Sequence, residues 1–329
     1  MAHRGFDDHM QALDAMKDRQ LDAEQIGFVK KTLAHRSNLL VAKAARLAED
    51  NQLTALVPDL LAAFKRFFEN PEKTDPQCWA KNALSRALPR LECRDKDVYL
   101  RGLHHHQMEP VWGGRSDSAG SLRANCAHAL AACEGIANHE LLLLLLDLLV
   151  DADKSVRVEA IRAIAQIGDP AVPLLRLRAL IPGEEPEVLG TCMAALLSID
   201  RDASIPFVAQ FLAAADDAAA EAAFALAETR SPAALALLLD LRSHPNPAAG
   251  EPWFAGVLLS AIALTRLPQA FDYLIGLIEE EDREASLSIE SLAKSAPCDD
   301  VRSRIDRAVE STGSPRLKKA FDEHFPPPR

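Results

Sequence analysis

A small residue followed by an aliphatic residue recurs along this chain at intervals of about 28 to 42 residues. In six of the eight copies the small residue is Ala, and the position four residues before the aliphatic anchor is also mostly small. The anchor and the positions four residues before it and three residues after it share one face of a helix. Small residues on that face allow neighbouring helices to approach closely. The repeat therefore predicts a stack of helical hairpins. Its anchors stand at Leu47, Leu88, Leu130, Ile164, Leu196, Leu226, Leu264 and Leu292.

The clearest copy of the repeat lies at 155–177, where a helical pattern is broken by Gly-Asp-Pro and followed by a second helical pattern. Similar start signals, a capping oxygen before proline, occur at 75–76, 169–170 and 231–232. Proline is tolerated at the first helical position because its missing N–H would have no partner there. Aromatic residues make up only 5% of the chain, which disfavours sheets. The sequence predicts an all-α fold.

The segment DKSVRVEAIRAIAQIGDPAVPLL at 153–175 resembles HEAT repeats, especially the short bacterial kind first described in phycobilin lyases. Asp153, Val156, Arg157 and Ala160 carry the pattern, and weaker copies cover about 20–310. The resemblance implies a right-handed α-solenoid of about eight hairpins over residues 1–329. We expect a helical cap at 1–36, an inserted loop at 101–121 and closing helices at 300–325. The family includes scaffolds, adaptors, transport factors, lyase subunits and a few enzymes, so it implies a fold more than an activity.

The inserted loop is the first candidate site, because long loops on repeat scaffolds often carry binding residues. It could contact a partner through an apolar anchor, hold a metal ion through imidazole and carboxylate groups, or only cover the edge of the array. Consecutive side chains in an extended segment point to opposite sides, which works against a shared metal. The candidate partner-binding residues of the loop are His104, His106, Glu109 and Trp112, and the metal candidates are His104, His105 and His106.

A basic stripe on three consecutive helices is the second candidate. Arg86, His128 and Arg162 each stand two residues before an anchor, on the face turned away from the packed seam. If these helices line the concave groove of a solenoid, the stripe would bind an acidic peptide or a phosphate. Ordinary solvated charge is the alternative interpretation.

A second basic column stands seven residues before the anchors, at Lys81, Arg123 and Arg157. This spacing matches the position at which HEAT families place a ladder of arginines paired with aspartates. Asp151 and Asp153 are the candidate partners, and we expect a structural role for the column. The cysteines Cys126, Cys133 and Cys192 stand where core residues are expected.

Charge and apolar content limit the classes of partner. Residues 1–165 carry 22 basic and 23 acidic side chains, whereas residues 166–329 carry 15 and 25. An acidic half argues against wrapping nucleic acid. The longest apolar run, at 141–150, is too short to span a membrane, and no CxxC spacing or secretory start is present. We therefore expect a cytoplasmic protein with a protein partner, no membrane association and no cofactor.

The sequence favours a non-catalytic scaffold or adaptor that binds its partner on the concave face of the amino-terminal half. One alternative is a metal-dependent or lyase-type enzyme that uses the His-rich segment 104–109. A HEAT-like DNA glycosylase is a further alternative, although the expected basic, aromatic groove is poorly represented. The pair His139-Glu140 is similar to the iron ligands of HEAT-type hydroxylases, but one pair cannot supply the ligands for two irons.

Overall fold

The computed structural model of the protein describes residues 2–243, 252–295 and 299–326. The described residues form twenty α-helices and one two-stranded sheet. They divide into two compact units, Met1–Ala171 and Val172–Arg329. The predicted all-α fold is confirmed, with one short β-hairpin as an addition. None of the described helices combines the length and the apolar character needed to cross a membrane.

The first unit contains ten helices and the two strands among its described residues. They are α1 Ala2–Ala15, α2 Ala23–Leu33, α3 Asn38–Asp50, α4 Val57–Arg66, α5 Pro71–Thr74, α6 Trp79–Arg90, α7 Lys96–Leu103, β1 Met108–Val111, β2 Gly114–Asp117, α8 Gly120–Ala131, α9 Asn138–Leu145 and α10 Lys154–Ala165.

The second unit is helical throughout its described residues. Its helices are α11 Val172–Leu180, α12 Pro186–Ile199, α13 Arg201–Ala209, α14 Asp217–Glu228, α15 Pro232–Ser243, α16 Pro252–Leu264, α17 Pro268–Glu279, α18 Ala285–Ser295, α19 Asp299–Thr312 and α20 Pro315–His324.

The anchor-bearing helices form the tightly stacked layer of each unit, which we call the inner helices. In the first unit α3 packs on α6, α6 on α8, and α8 on α10. In the second unit the order is α12, α14, α16 and α18, and α20 packs on α18 at the end of this layer. Ala163 and Ile164 illustrate why these helices stack tightly. Both residues are fully buried, and the small alanine side chain lets a neighbouring helix approach closely. The repeated alanine is thus a packing feature of the inner layer.

Burial corrects the register of two predicted anchors. In α3 the buried pair is Leu47–Ala48 and Arg46 is exposed, so the anchor is Ala48 instead of Leu47. In α16 the buried pair is Ala261–Ile262, two residues before Leu264. These two anchors were predicted wrongly because each helix contains several alanine and aliphatic residues that fit more than one register. The correction adds Arg46 to the exposed face of the inner helices.

Side-chain caps mark the starts of α2 and α15, whereas the turn that begins at Pro76 has no side-chain cap. Helices α1 and α2 pack on α3 within the predicted cap at 1–36. Asp22 starts α2 with a capping box, accepting the backbone N–H of Gln25 at 2.9 Å. Ser231 caps α15, which begins at Pro232 as predicted. Helices α19 and α20 occupy the predicted closing segment at 300–325.

The three cysteines predicted to be core residues are buried in the inner helices or directly after them. Burial raises the pKa of Cys192 to about 12 and also raises the pKa values of Cys126 and Cys133. These thiols are therefore held in the neutral, unreactive form at pH 7. Cys298 lies outside the described residues.

Substitution of Ala163 tests the packing of the inner layer. Ala163→Leu adds a branched side chain at a fully buried position between α8 and α10. We expect the free energy of unfolding to fall by about 1–3 kcal/mol because the added atoms have no space. The control is Ala194→Leu, an exposed position two residues before the anchor of α12. Denaturant unfolding should separate the two variants, and equal stability would show that the register is wrong.

Candidate partner-binding site

The segment predicted as a long loop contains a β-hairpin that projects between α7 and α8. Strands β1 and β2 pair antiparallel, with Met108 opposite Asp117 and Val111 opposite Gly114. Trp112 and Gly113 form the two-residue turn, and Gly113 has a left-handed φ of 87°, which favours glycine. The segment expected to be an inserted loop therefore contains two short strands. The hairpin was missed because each strand has only four residues, too few for a periodic signal.

The base of the hairpin is built around Gln107, whose side chain is buried. Its Nε2 donates to the backbone carbonyl of Asp75 at 2.9 Å, and its Oε1 accepts from Cys78 Sγ at 3.4 Å. Its backbone N–H donates to Asp117 Oδ1 at 2.9 Å. Gln107 therefore joins the hairpin to the segment that precedes α6. A buried amide must satisfy its hydrogen bonds, so this contact fixes the direction in which β1 leaves the helical layer.

A buried arginine holds the other side of the hairpin base. Arg123, on α8, is 2% exposed. Its Nε and Nη2 donate to the two carboxylate oxygens of Asp151 at 2.8 and 3.0 Å. Its Nη1 donates to Asp117 Oδ2 at 2.7 Å and to the carbonyl of His105 at 3.0 Å. One guanidinium thus connects the hairpin, α8 and the segment before α10. The bidentate geometry makes this connection directional.

Asp117 is ionised because of the donors that surround it. Burial alone would raise its pKa. Backbone N–H groups of Gln107 and Ala119, together with His106 and Arg123, all donate to the carboxylate and hold its pKa well below the usual range. Hydrogen bonds to the charged form favour that form. The Asp117 carboxylate at the hairpin base is therefore negatively charged at any pH near neutral.

The basic column predicted to be structural is buried within the first unit. Lys81 Nζ lies 3.1 Å from Asp75 Oδ2, and both side chains are fully buried. Arg157 Nη1 donates to the backbone carbonyl of Asp151 at 2.6 Å. Arg123 pairs with the carboxylate of Asp151 as expected, whereas Lys81 pairs with Asp75 and Arg157 donates to the backbone carbonyl of Asp151. All three are bonded within the unit, as a structural role requires.

The three consecutive histidines of the segment do not converge. The His105 ring packs edge-on against Phe68 at 5.0 Å, and burial lowers its pKa. His106 Nδ1 lies 2.9 Å from Asp117 Oδ2, and His104 is exposed. Among the described residues no group of three His, Cys, Asp or Glu side chains is arranged to hold a metal ion. Glu140 of the His139-Glu140 pair instead faces Lys96 at 3.3 Å.

Glu109 has a positioning role in the hairpin. Its carboxylate accepts the backbone N–H of Gln77 at 2.7 Å and also contacts Gln107. Gln77 and Cys78 both have left-handed φ angles, of 58° and 54°. Such backbone is costly for residues with a side chain, and it persists where neighbouring contacts fix it. The contact made by Glu109 stabilises this bend, so Glu109 supports the hairpin from its base.

Trp112 differs from the other predicted loop residues because it makes no packing contact to the unit. Its side chain is fully exposed at the tip of the hairpin. Met108 and Val111 on β1 are also exposed, by 43% and 51%. A groove of about 640 Å³ runs between the hairpin and the segment 147–153, with Met108 and Val150 in its wall. The structure therefore presents an apolar tip beside a groove.

The stripe residue Arg86 belongs to a cluster around Glu49. Arg86 Nε donates to Glu49 Oε2 at 3.2 Å, and Arg90 Nη1 donates to Glu49 Oε1 at 2.5 Å. The Glu49 side chain is 4% exposed. Glu49 and Arg90 have no recognisable signal in the sequence, because the glutamate lies 37 residues before Arg86 and no local pattern joins them.

The other two stripe residues meet at Glu159. His128 Nε2 lies 2.6 Å from Glu159 Oε2, and Arg162 Nη1 donates to Glu159 Oε1 at 2.6 Å. Gln166 adds a contact of 3.4 Å to His128 Nδ1. The structure thus brings His128 and Arg162 together and gives Arg86 a glutamate of its own. The predicted stripe therefore consists of two clusters, one around Glu49 and one around Glu159. These two carboxylates partly neutralise its positive charge.

Replacement of Asp117 tests the hairpin base. Asp117→Asn keeps the shape but removes the charge that pairs with Arg123. We expect the free energy of unfolding to fall by about 1–3 kcal/mol, because a buried donor loses its partner. Asp97→Asn, at an exposed position on α7, is the matched control. Equilibrium unfolding in urea measures both, and an Asp117 variant as stable as the control would contradict the assignment.

The same variant has a defined dependence on pH. Because the folded pKa of Asp117 is depressed, its stabilisation is present above the unfolded pKa of about 3.9 and is lost as the pH falls towards the folded value. The difference in stability between wild type and Asp117→Asn should therefore be constant from about pH 5 to 8 and shrink below about pH 4. A difference that grows on acidification would contradict the pairing.

Comparison with known proteins gives a family for the middle of the chain. The family model for HEAT repeats matches residues 114–180 and 142–223. The matched segment begins in β2 and includes α8, Arg123 and the Glu159 cluster. No curated protein matches the chain. Residues 114–223 are therefore HEAT repeats.

Proposed function

We propose that the protein is a non-catalytic interaction module that binds a protein partner through the β-hairpin and the exposed faces of α6, α8 and α10. One observation carries this proposal: the side chain of Trp112 is fully exposed on a hairpin whose base is bonded into the helical unit. HEAT repeats commonly serve as protein-interaction scaffolds. The hairpin gives this scaffold a distinct point of contact.

A tryptophan at the tip of an anchored hairpin has the properties of an interface anchor. Tryptophan is enriched among the residues that contribute most to binding free energy. Ordering a contact residue on binding costs entropy, and the bonds of Gln107 and Asp117 supply much of that order in advance. Exposed Met108 and Val111 extend the apolar surface below the tip. A complementary apolar pocket on a protein partner fits this arrangement.

The groove beside the hairpin extends the same surface. Leu148 and Val150 contribute apolar atoms to its wall, while Asp147 and Arg115 contribute charge. Protein interfaces combine an apolar centre with a polar rim in this way. The arginines of the Glu49 and Glu159 clusters supply further polar groups on the inner helices. The proposed interface therefore includes Arg86, His128 and Arg162 with the hairpin.

The enzymatic alternatives fit the site less well. A metal-dependent or lyase-type enzyme built on 104–109 would need its imidazoles directed at one ligand. Instead His105 packs on Phe68 and His106 contacts Asp117. A glycosylase would need an open basic surface, whereas Glu49 and Glu159 stand among the arginines of the inner helices. The binding interpretation uses the observed contacts without rearrangement.

The variant Trp112→Ala tests the anchor. We expect partner capture from lysate of the source cells to fall at least about tenfold, because truncating an interface tryptophan typically costs ~2 kcal/mol or more. The melting temperature should stay unchanged, since the side chain is fully exposed. Quantitative mass spectrometry of proteins retained by immobilised wild type and variant measures the change.

The matched control is Trp253→Ala, which removes a partly exposed tryptophan in the second unit. Its capture profile should equal that of wild type. If both tryptophan variants lose the same proteins, the capture reflects general stickiness. If Trp112→Ala retains every protein that wild type captures, the hairpin is not the anchor and the proposal is wrong.

A further inference from the structure

Two arginines of α6 bond to one buried carboxylate of α3, and a third arginine is exposed one turn away on α3. Glu49 accepts from Arg86 and Arg90, which lie one turn apart on α6. Arg46 lies one turn before Glu49 on α3, where residues three apart share a helical face. We name Arg46, Arg86 and Arg90 the Glu49 arginine cluster. Three positive charges and one negative charge leave a formal balance of +2.

Glu49 orients Arg86 and Arg90 but accepts only one N–H group from each of them. Arg86 gives it only Nε, and Arg90 gives it only Nη1. The remaining N–H groups of both guanidinium groups have no partner among the described residues, and the two side chains are 45% and 64% exposed. A guanidinium has five donors in a fixed fork, so each can still bind an anion through two of them.

Arg46 adds a cation that has no partner in the part of the chain that the structure describes. Its side chain is exposed, and the register correction places it at the position of Arg86 on the preceding inner helix. Asp50, the next carboxylate along α3, lines a separate cleft with Asp18 and Arg19. The charge of Arg46 is therefore available to a ligand beside Arg86.

A second feature of α6 favours a peptide ligand over a free anion. Trp79 lies seven residues before Arg86, two helical turns away on the same face, and is 45% exposed. Its Nε1 donates to Gln77 Oε1 at 3.3 Å, which fixes the ring at the edge of the hairpin base. An anion carried on a peptide could place its charge on the arginines and a neighbouring apolar residue on Trp79.

We infer that the Glu49 arginine cluster binds a dianionic oxyanion group on a partner peptide, either a phosphorylated side chain or two adjacent carboxylates. The inference rests on the proposed function, because the peptide belongs to the partner. The formal balance of +2 matches a phosphoryl group, which carries about −1.5 to −2 at pH 7. Arginines held by a buried carboxylate are ordered before the ligand arrives, which lowers the entropic cost of binding.

A nucleic-acid backbone fits this surface less well than a peptide. Duplex DNA presents one charge per about 1.7 Å of its axis and needs an extended run of free cations. Along the inner helices the next exposed arginine is Arg162, which donates to Glu159. The whole chain has a formal charge of −11. A localised site for a short anionic segment agrees with this distribution.

The test uses fluorescein-labelled peptides of one Ala- and Leu-containing sequence that differ only at the centre, with phosphoserine, Glu-Glu or Ser. Fluorescence anisotropy with the full chain at about 0.15 M salt measures affinity. We expect the phosphoserine peptide, the Glu-Glu peptide or both to bind at least roughly tenfold more tightly than the Ser peptide, the scale of charge-assisted hydrogen bonds. The relative affinity of the two anionic peptides identifies the source of the anion.

Two substitutions locate the binding. Arg46→Gln removes a cation that has no partner among the described residues, so we expect it to leave folding intact. Arg86→Gln leaves Arg90 on Glu49. Each should weaken the anionic peptides about tenfold. The control Arg201→Gln removes an exposed arginine of the second unit, which contacts Asp202, and should change nothing. Circular dichroism melting confirms that the variants are folded.

The inference is overturned if all three peptides bind equally, if none binds, or if Arg46→Gln and Arg86→Gln bind as wild type does. It is also overturned if a labelled DNA duplex binds at the same salt and loses affinity in Arg46→Gln. Failure here with Trp112-dependent capture intact would leave the interaction module standing without this anion site. If partner capture does not depend on Trp112 while the anionic peptides still bind, only the proposal that Trp112 is the interface anchor is contradicted.

Discussion

The buried guanidinium of Arg123 is the interaction on which the first unit depends. A charge without water around it must be paired and hydrogen-bonded, or the cost of burial exceeds what packing can offset. Asp151 and Asp117 meet that requirement from opposite sides, one next to α10 and the other at the end of β2. Because the same arginine bonds to both, the hairpin cannot leave the helical layer without depriving Nη1 of the buried guanidinium of its partners Asp117 and His105. The extra segment is therefore part of the repeat unit and not an appendage.

This coupling explains how a β-hairpin can be added to a stack of helices without loss of order. The base of the hairpin is polar and buried, the strands are short, and the tip is apolar and exposed. Each residue near the base serves another group: Gln107 holds Asp75, and Glu109 holds the left-handed bend at Gln77. The side chain of Trp112 has no such role and is fully exposed. The Glu49 cluster repeats the principle on α3 and α6, where a buried carboxylate orders arginines that face solvent.

The sequence predicted what depends on periodic burial and missed what depends on contacts distant in sequence. Alanine before an aliphatic anchor located the inner helices, and the basic column containing Arg123 was correctly interpreted as structural. The register was wrong at Leu47, because leucine and alanine both fit the seam and only neighbouring helices decide between them. Gln107 and Asp117 gave no signal, since polar residues between Gly- and Ser-rich stretches are typical of loops. Glu49 could not be joined to Arg86 because the two meet only after two hairpins have stacked.

Amide hydrogen exchange of the hairpin base tests the central claim most directly. The backbone N–H groups of Gln107, Ser118 and Ala119 donate to Asp117 or to the Gln107 carbonyl at 2.9 to 3.0 Å. If Arg123 fixes the hairpin to the unit, these amides open only when α8 opens, and their protection should equal that of the α8 amides. Exchange of these three amides at the rate of an unstructured segment, with α8 still protected, would contradict the account.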